Sequence, residues 1–557
     1  MKKFILHFIL SVCAMNLYAQ KIAVLKDIKH GKASSFPQYL ILAENKLFFS
    51  AEDSLHGEEL WVSGGTRNTT RLLLDLNPGT AGSSPQNLIY MNGSMYFTAN
   101  DGISGKELWK LNLANLAVKK LTNTSVSSPF GFEESFFIYN NELYFSFNDG
   151  IHGSEAWKTN GTLKGTVLVK DMRPGAINTS PRKFFIFKNK LFFLGEDDID
   201  TQALYVINNA KGTAKKFFNC GEEGCSAFTV WKNKLYFFSD DQVFSSPNNE
   251  LYASDGTTAG THIIKQINPN GSATYFGQIA VANDRLLFAA DDGVHGIELW
   301  KSDGTVNGTQ MVKDIGTGKQ EGVPTDMIVY KNKVIFQAYE HPASGATWIT
   351  DGTETGTIKL SDILVSSSGK NFVEMNDSLL FVGYVNGHGF ELCITDGTAA
   401  GTKLAYDINK GIGSGVPDLF TRRDSSLFFT ANDDKKGYEI FSLSPVHFTA
   451  SSTENNFEVT SIKAMEDNGT SLHQNSPNPF ASATFIQYTL PAKYKTAAIV
   501  FADASGRVIK TIDLNNHNTN NGVMPVNAEN FSPGIYFYSL VVDGRIRSTK
   551  KCIAGGE

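Results

Sequence analysis

The 557-residue chain is poor in cysteine and in charge, and it lacks long apolar runs after its first residues. It has only five cysteines, and charged residues make up 19%. Its net charge of −6 shows no basic excess, which excludes a general nucleic-acid or anionic-membrane binder. After the N-terminus no stretch approaches the roughly 20 apolar residues of a membrane-spanning helix, so no transmembrane segment is predicted in the mature chain.

Standard catalytic signatures are also missing. The sequence contains no GxSxG, no HExxH, no P-loop and no Rossmann fingerprint. Acidic residues are plentiful, but the sequence alone assigns no carboxylate pair to glycoside hydrolysis. The pattern favours a protein without catalytic activity, and it leaves open an enzyme whose site is assembled from scattered loops.

A repeat of nearly constant length organises the chain, and its clearest copy is Phe288–Ile315. One aromatic position recurs at spacings of 45 to 48 residues, and it is filled in turn by Trp61, Trp109, Trp157, Tyr205, Tyr252, Trp300, Trp348, Cys393 and Phe441. Each unit holds four short strand-like runs, and the second run is apolar on both faces, as in Leu286-Leu287-Phe288. The period and the four strands predict an all-β fold, a β-propeller of about nine four-stranded blades.

The ends of the repeat region predict how the ring closes. Residues Ile22–Ile28 resemble an outgoing fourth strand with no unit before it, and the ninth unit stops after Tyr438–Leu443 without a fourth strand. We therefore expect the N-terminal strand to complete the last blade, which removes two exposed sheet edges.

The motif Glu298–Thr305 resembles the bacterial ELWxxDGT repeat. The resemblance implies a propeller-like surface protein, and it implies no particular activity.

Both ends carry signs of export. Residues 1–19 have a charged start, an apolar stretch too short to span a membrane and a cleavage site before Gln20, which predicts a signal peptide. The propeller is predicted over residues 20–445, a polar linker over 446–472 and a strand-rich module over 473–557. The module resembles the type A C-terminal sorting domain of the type IX secretion system through four ordered motifs, the first containing Pro477, Asn478, Pro479 and Phe480. The resemblance implies an immunoglobulin-like sandwich, a partner in the type IX machinery and secretion or attachment at the outer surface.

Cysteine and aspartate offer few cofactor sites. Cys220 and Cys225 flank a short glycine-containing loop, and a disulfide is the expected state in an exported protein. The recurring Asp-Gly-Thr segments are interpreted as turns, since none has EF-hand spacing. No cofactor is predicted, and calcium is left as a possible ligand.

The ligand site is predicted where loops depart from the repeat. Two such loops belong to the fourth and fifth units, and they supply the candidate residues Glu196, Asp197, Asp198, Asp240, Asp241 and Phe244. Loops on a rigid scaffold commonly carry function. The sequence therefore favours a binding or adhesion module for a glycan or a protein. The alternatives are an extracellular carbohydrate-active enzyme with its site on the propeller rim and a structural surface-layer component.

Overall fold

The computed structural model describes most of the chain. The described residues are 20–124, 126, 136–198, 201–208, 213–222, 224–240, 249–273, 277–340, 345–366, 372–445, 471–473, 475, 483–491, 493–503, 508–514, 521–527, 531, 534–543 and 545–554. The chain divides into two compact units, Met1–Phe448 and Thr449–Glu557. Apart from a 3₁₀ turn at Arg67–Thr69, every regular element in these ranges is a β-strand, so the predicted all-β class is confirmed. None of these residues forms a helix long and apolar enough to cross a membrane.

The described part of the first unit contains nine antiparallel sheets, which we call blades 1 to 9. The chain enters through β1 (Gln20–Val24). Blade 1 contains β2 (Gln38–Ala43), β3 (Lys46–Asp53), β4 (Gly57–Ser63) and β5 (Arg71–Leu74). Blade 2 contains β6 (Gln86–Met91), β7 (Ser94–Asn100), β8 (Lys106–Asn112) and β9 (Val118–Lys120). Blade 3 contains β10 (Phe137–Tyr139), β11 (Glu142–Asn148), β12 (Ser154–Thr159) and β13 (Val167–Lys170).

The next three blades follow the same order. Blade 4 contains β14 (Arg182–Phe187), β15 (Lys190–Asp198), β16 (Thr201–Asn208) and β17 (Thr213–Gly221). Blade 5 contains β18 (Cys225–Trp231), β19 (Lys234–Asp240), β20 (Asn249–Ser254) and β21 (Thr261–Lys265). Blade 6 contains β22 (Ile279–Ala282), β23 (Arg285–Asp291), β24 (Ile297–Ser302) and β25 (Gln310–Lys313).

The last three blades include the two departures from this order. Blade 7 contains β26 (Thr325–Tyr330), β27 (Lys333–Tyr339), β28 (Gly345–Thr350) and β29 (Ile358–Ser361). Blade 8 contains β30 (Leu364–Val365), β31 (Phe372–Met375), β32 (Ser378–Val385), β33 (Gly389–Thr395) and β34 (Lys403–Tyr406). In blade 8 both β30 and β31 pair with β32. Blade 9 contains β35 (Asp418–Arg423), β36 (Ser426–Asn432) and β37 (Tyr438–Pro445), together with β1.

Each blade is covered on both faces by its neighbours. In β3 five consecutive residues are buried, which requires apolar side chains on both sides of the strand. Phe48 of blade 1 packs in one cluster with Phe97 and Trp109 of blade 2. The first strands of neighbouring blades contact each other, for example β2 with β6, so these strands lie where the blades converge. The repeat therefore produces packed blades, and the predicted propeller class is confirmed.

Strand β1 completes blade 9, as the sequence predicts. It runs antiparallel to β37, with Ile22 opposite Leu443 and Val24 opposite Phe441. The observed strand ends at Val24, earlier than the predicted Ile28, because Leu25 and Ile28 turn into the core between blades 9 and 1. That core joins residues of blade 1 to residues of blade 9, so the ring is closed.

The second unit consists of two sheets around one core. One sheet contains β38 (Ser471–Leu472), β39 (Ala483–Thr489) and β42 (Asn521–Asn527), and the other contains β40 (Ala497–Asp503), β41 (Val508–Asp513), β43 (Gly534–Val542) and β44 (Arg545–Ala554). Ile486 and Tyr488 of the first sheet pack with Phe501 and Tyr538 of the second. The Tyr538 hydroxyl also donates to the carbonyl of His473 at 2.8 Å, which ties the start of this unit to its core.

Candidate functional site

A buried glutamate forms the link between one blade and the next. The side chain of Glu298 on β24 is completely buried. Its carboxylate accepts hydrogen bonds from the backbone N–H groups of Ile315 at 2.7 Å, Gly316 at 2.8 Å and Gly322 at 2.8 Å. These three groups belong to the connection that leads to blade 7. One carboxylate therefore satisfies donors that a buried loop would otherwise leave without partners.

The same glutamate recurs around the ring. The equivalent buried residues are Glu59, Glu107, Glu155, Glu250, Glu391 and Glu439. Burial raises the pKa of Glu155, Glu298 and Glu439 to about 7, although the N–H donors favour the ionised form. Sequence reasoning missed this role. The signal was the recurrence of a charged residue directly before buried Leu-Trp, where only a partnered charge is tolerated.

Blades 4 and 7 lack this glutamate, and their connections are built differently. Ala203 and Ala346 occupy the equivalent positions. After blade 4 the connection is closed by a disulfide between Cys220 and Cys225, whose Cα atoms lie 5.2 Å apart. After blade 7 the chain instead forms β30, which pairs directly with β32. The departures from the repeat that the sequence singled out at blade 4 therefore coincide with a change in how blades are joined.

The disulfide-closed loop covers Asp240, one of the predicted ligand residues. Asp240 ends β19 and is only 8% exposed. A Cβ atom on Gly221 would lie 2.6 Å from the Asp240 carboxylate, so only glycine allows this approach. The Ser239 hydroxyl next to it donates to the carbonyl of Cys220 at 3.5 Å. The loop and the carboxylate are thus packed as one element.

A cleft of about 460 Å³ opens beside Asp240, between blades 4 and 5. It is lined by Lys216, Phe217, Phe218, Asn219, Asp240, Tyr252 and Thr258. Phe218 and Tyr252 pack edge to face at 5.5 Å and supply aromatic surface. Lys216 forms an ion pair with Asp197 at 2.8 Å. Two of the predicted residues therefore belong to the region of this cleft. Asp240 lines it, and Asp197 is joined to its lining residue Lys216 by the ion pair.

The other predicted residues either have partners within blades 3 and 4 or have side chains outside the described residues. Glu196 lies 3.8 Å from Arg173 of the connection between blades 3 and 4, so its carboxylate is paired with that arginine. Asp197 also accepts a hydrogen bond from the Tyr205 hydroxyl at 3.1 Å. Asp198 belongs to β15 through its backbone, while its side chain, Asp241 and Phe244 lie outside the described residues.

No metal centre is apparent in the described ranges, where no three His, Cys, Asp or Glu side chains are placed to hold one ion. The Asp-Gly-Thr segments form turns: Asp303 accepts from the backbone N–H of Thr305 at 2.9 Å, and Gly304 has a φ of +87°. His295 bonds Asp292 at 2.8 Å within its own loop. Aspartates at these two positions are thus engaged within their own loops.

The sorting motif residues Pro477, Asn478, Pro479 and Phe480 lie outside the described residues. The family comparison nevertheless covers this part of the chain. Residues 476–554 match the secretion system C-terminal sorting domain. No curated protein sequence matches the chain.

Solved structures similar to the chain include several peptidases. A structure described for two prolyl endopeptidases has 10% identity to this chain and a TM-score of 0.37. The match covers 66% of this chain and 55% of the endopeptidase chain. The β-propeller domain of the Trilobed protease from Pyrococcus furiosus has 12% identity and a TM-score of 0.30, covering 59% of this chain and 99% of that chain. TolB from Acinetobacter baumannii has 11% identity and a TM-score of 0.28, and the match covers 56% of this chain and 76% of the TolB chain.

Proposed function

We propose that this chain is an exported propeller that binds a glycan or a protein without catalysis, and that the cleft between blades 4 and 5 is its ligand site. The sorting domain at residues 476–554 directs the chain to the cell surface or the medium through type IX secretion. The proposal for binding depends on one observation: the cleft forms where a disulfide replaces the buried glutamate of the repeat.

The lining of the cleft suits a polar ligand with an apolar face. Phe218 and Tyr252 offer aromatic surface, while Lys216 and Asp240 offer one charge of each sign and Asn219 an amide. Binding sites of this size commonly combine an apolar lining with a few fixed polar groups. Sugars have hydroxyls beside apolar C–H faces, so a glycan is the favoured ligand class.

The test compares two neighbouring lysines. Lys216 lines the cleft, whereas Lys215 is its exposed neighbour on β17 and does not. Lys215→Gln is a matched control for Lys216→Gln, because it removes another exposed lysine of the same strand that does not line the cleft. We expect Lys216→Gln and Asp240→Asn to weaken binding on a glycan array at least about tenfold, or about 1.4 kcal/mol, with Lys215→Gln unchanged. Equal binding by all three variants would remove the cleft as the site.

A carbohydrate-active enzyme remains the competing proposal for the same cleft. Incubating the full chain with each glycan that binds, and measuring new reducing ends, separates the two. Turnover that Asp240→Asn abolishes would replace the binding proposal with a catalytic one. Binding without turnover supports a binding module.

Export is tested separately from binding. Deleting residues 473–557 is expected to leave the propeller in the periplasm, because the type IX machinery recognises the sorting domain. Immunoblots of surface, medium and periplasmic fractions measure the outcome. Surface display of the truncated chain would contradict this role.

A further inference from the structure

A strip of aromatic and aliphatic side chains, exposed except for the half-buried Tyr438, crosses blades 8, 9 and 1. We call Phe36, Tyr384, Phe390, Val416 and Tyr438 the seam strip. Phe36 is 56% exposed, Val416 45%, Tyr384 40% and Phe390 36%. These exposures are high for large apolar residues, and the members come from both ends of the propeller sequence. Contiguous apolar surface of this kind marks an interaction site on soluble proteins.

Ring contacts and hydrogen bonds connect every member of the seam strip. Phe36 stacks on Tyr438 with ring centroids 6.4 Å apart. The Tyr438 hydroxyl donates to the carbonyl of Val416 at 3.0 Å, and the Val416 N–H donates to the carbonyl of Phe390 at 3.0 Å. Phe390 packs edge to face with Tyr384 at 5.3 Å. Two ring pairs, Phe36 with Tyr438 and Tyr384 with Phe390, are therefore linked across two blade junctions by hydrogen bonds to the Val416 backbone.

The repeat itself provides the comparison that sets the seam strip apart. Tyr438 and Phe390 occupy the position directly before the repeat glutamate, which in the other blades holds Glu58, Lys106, Ser154, Gln202, Asn249, Ile297 and Gly345. The position of Phe36, before a proline, holds Ser84 and Ser180 in two other connections and Val323 and Val416 in two more. The fold therefore accepts small, polar or aliphatic residues at these places. Packing alone gives no reason for the aromatic residues in blades 8, 9 and 1.

The loops bordering the seam strip carry more lysine than aspartate at exposed positions, although Asp27 and Asp407 lie half-buried in the same connections. These loops carry the exposed residues Lys32, Lys410 and Lys435, together with Lys436. The acidic residues on the blade 9 loop are Asp433 and Asp434, and Asp433 accepts from the backbone N–H groups of Lys435 and Lys436. By contrast, the corresponding loops of blades 4 and 5 begin with Glu196, Asp197 and Asp240. The loops at the seam strip are thus less acidic than those of blades 4 and 5, and this difference favours an anionic polymer at the seam strip.

We propose that the seam strip binds an acidic polysaccharide. Exposed aromatic rings pack against the C–H faces of pyranose units, and lysines pair with carboxylate or sulfate groups along such a chain. The seam strip matches an extended polymer better than a compact molecule, because its members follow one another across blades 8, 9 and 1. This inference is independent of the cleft between blades 4 and 5.

The test uses polygalacturonate as the acidic polymer, dextran as a neutral one and poly(Glu,Tyr) as an acidic aromatic polypeptide. Affinity gel electrophoresis of the full chain measures retardation by each. We expect retardation by polygalacturonate only. Phe36→Ala with Phe390→Ala should weaken it at least about tenfold, and Lys435→Gln with Lys436→Gln should weaken it and reduce its dependence on salt.

Matched controls keep the outcome unambiguous. Ile103→Ala removes an exposed apolar side chain of blade 2, and Lys319→Gln removes an exposed lysine of the connection between blades 6 and 7. Neither should change retardation, and Asp240→Asn should not change it either. The proposal is overturned if polygalacturonate does not retard the chain, if dextran retards it equally, or if the controls lose as much as the seam strip variants. Retardation by poly(Glu,Tyr) alone would make the surface a peptide site and would also overturn it.

Discussion

The buried glutamate of the repeat leads to the sharpest stability prediction. Glu298→Ala removes the acceptor of three backbone N–H groups at 2.7 to 2.8 Å. Each hydrogen bond to a charged group contributes about 1.5–3 kcal/mol. Against this stands the cost of burying the charge, which raises the pKa of Glu298 from 4.5 to about 7 even with these three donors in place. The expected net loss at pH 7.5 is about 2–5 kcal/mol.

Guanidinium unfolding of the full chain measures this loss. Trp300 and Trp348 are 5% exposed, so their fluorescence reports the loss of packing between blades 6 and 7. The control is Glu354→Ala, which removes an exposed glutamate of blade 7 and should leave the midpoint unchanged. A reciprocal variant, Ala203→Glu, places a carboxylate where blade 4 has the disulfide instead, and it should destabilise the chain.

Two unfolding results would contradict this role of Glu298. If Glu298→Ala and Glu354→Ala unfold at the same guanidinium concentration as the unaltered chain, the carboxylate does not hold the connection between blades. If Ala203→Glu stabilises the chain, the disulfide-closed connection does not replace the glutamate. Either outcome would show that the recurring glutamate does not stabilise the ring.

Further predictions concern pH and the disulfide. The pKa of Glu155, Glu298 and Glu439 is raised to about 7 in the folded chain, above the ordinary 4.5, so folding binds protons. Their contribution to stability is complete below pH 4.5 and is lost as pH rises to about 7, so the unfolding midpoint should fall across this range and fall less in Glu298→Gln. Replacing Cys220 and Cys225 by serine should cost about 2 kcal/mol for the short loop. The double serine variant should also bind ligand more weakly at the cleft. The unaltered chain should show the same loss of binding after its disulfide is reduced.

The repeat made most of the propeller predictable because its information is local. Four short runs in each unit, the apolar second strand and the turn at Asp303 each depend on neighbours within a few residues. The unpaired strand at the start of the chain and the missing strand at Tyr438–Leu443 predicted the pairing of β1 with β37. The predicted strand extended too far because periodicity cannot show that Leu25 and Ile28 turn into the core.

The candidate site was predictable only in part. Loops that depart from the repeat indicated Asp197 and Asp240. In the structure Asp240 lines the cleft, and Asp197 forms an ion pair with the lining residue Lys216. Sequence reasoning did not identify Phe218 or Tyr252 as part of that cleft, since each occupies an ordinary strand position. The predicted ligand residue Glu196 lies outside the cleft lining, with its carboxylate 3.8 Å from Arg173, and its role stays a prediction.

Consecutive residues were enough to predict the all-β repeat, the order of the strands and the sorting domain, because hydrophobic periodicity and short motifs are local properties of a chain. Which groups meet across blades depends on the closed ring. The carboxylate of Glu298 finds its donors at Ile315, Gly316 and Gly322, and Phe36 meets Tyr438 from the other end of the propeller. Closing a ring brings distant residues together at every junction, and no local pattern records which side chains will face each other there.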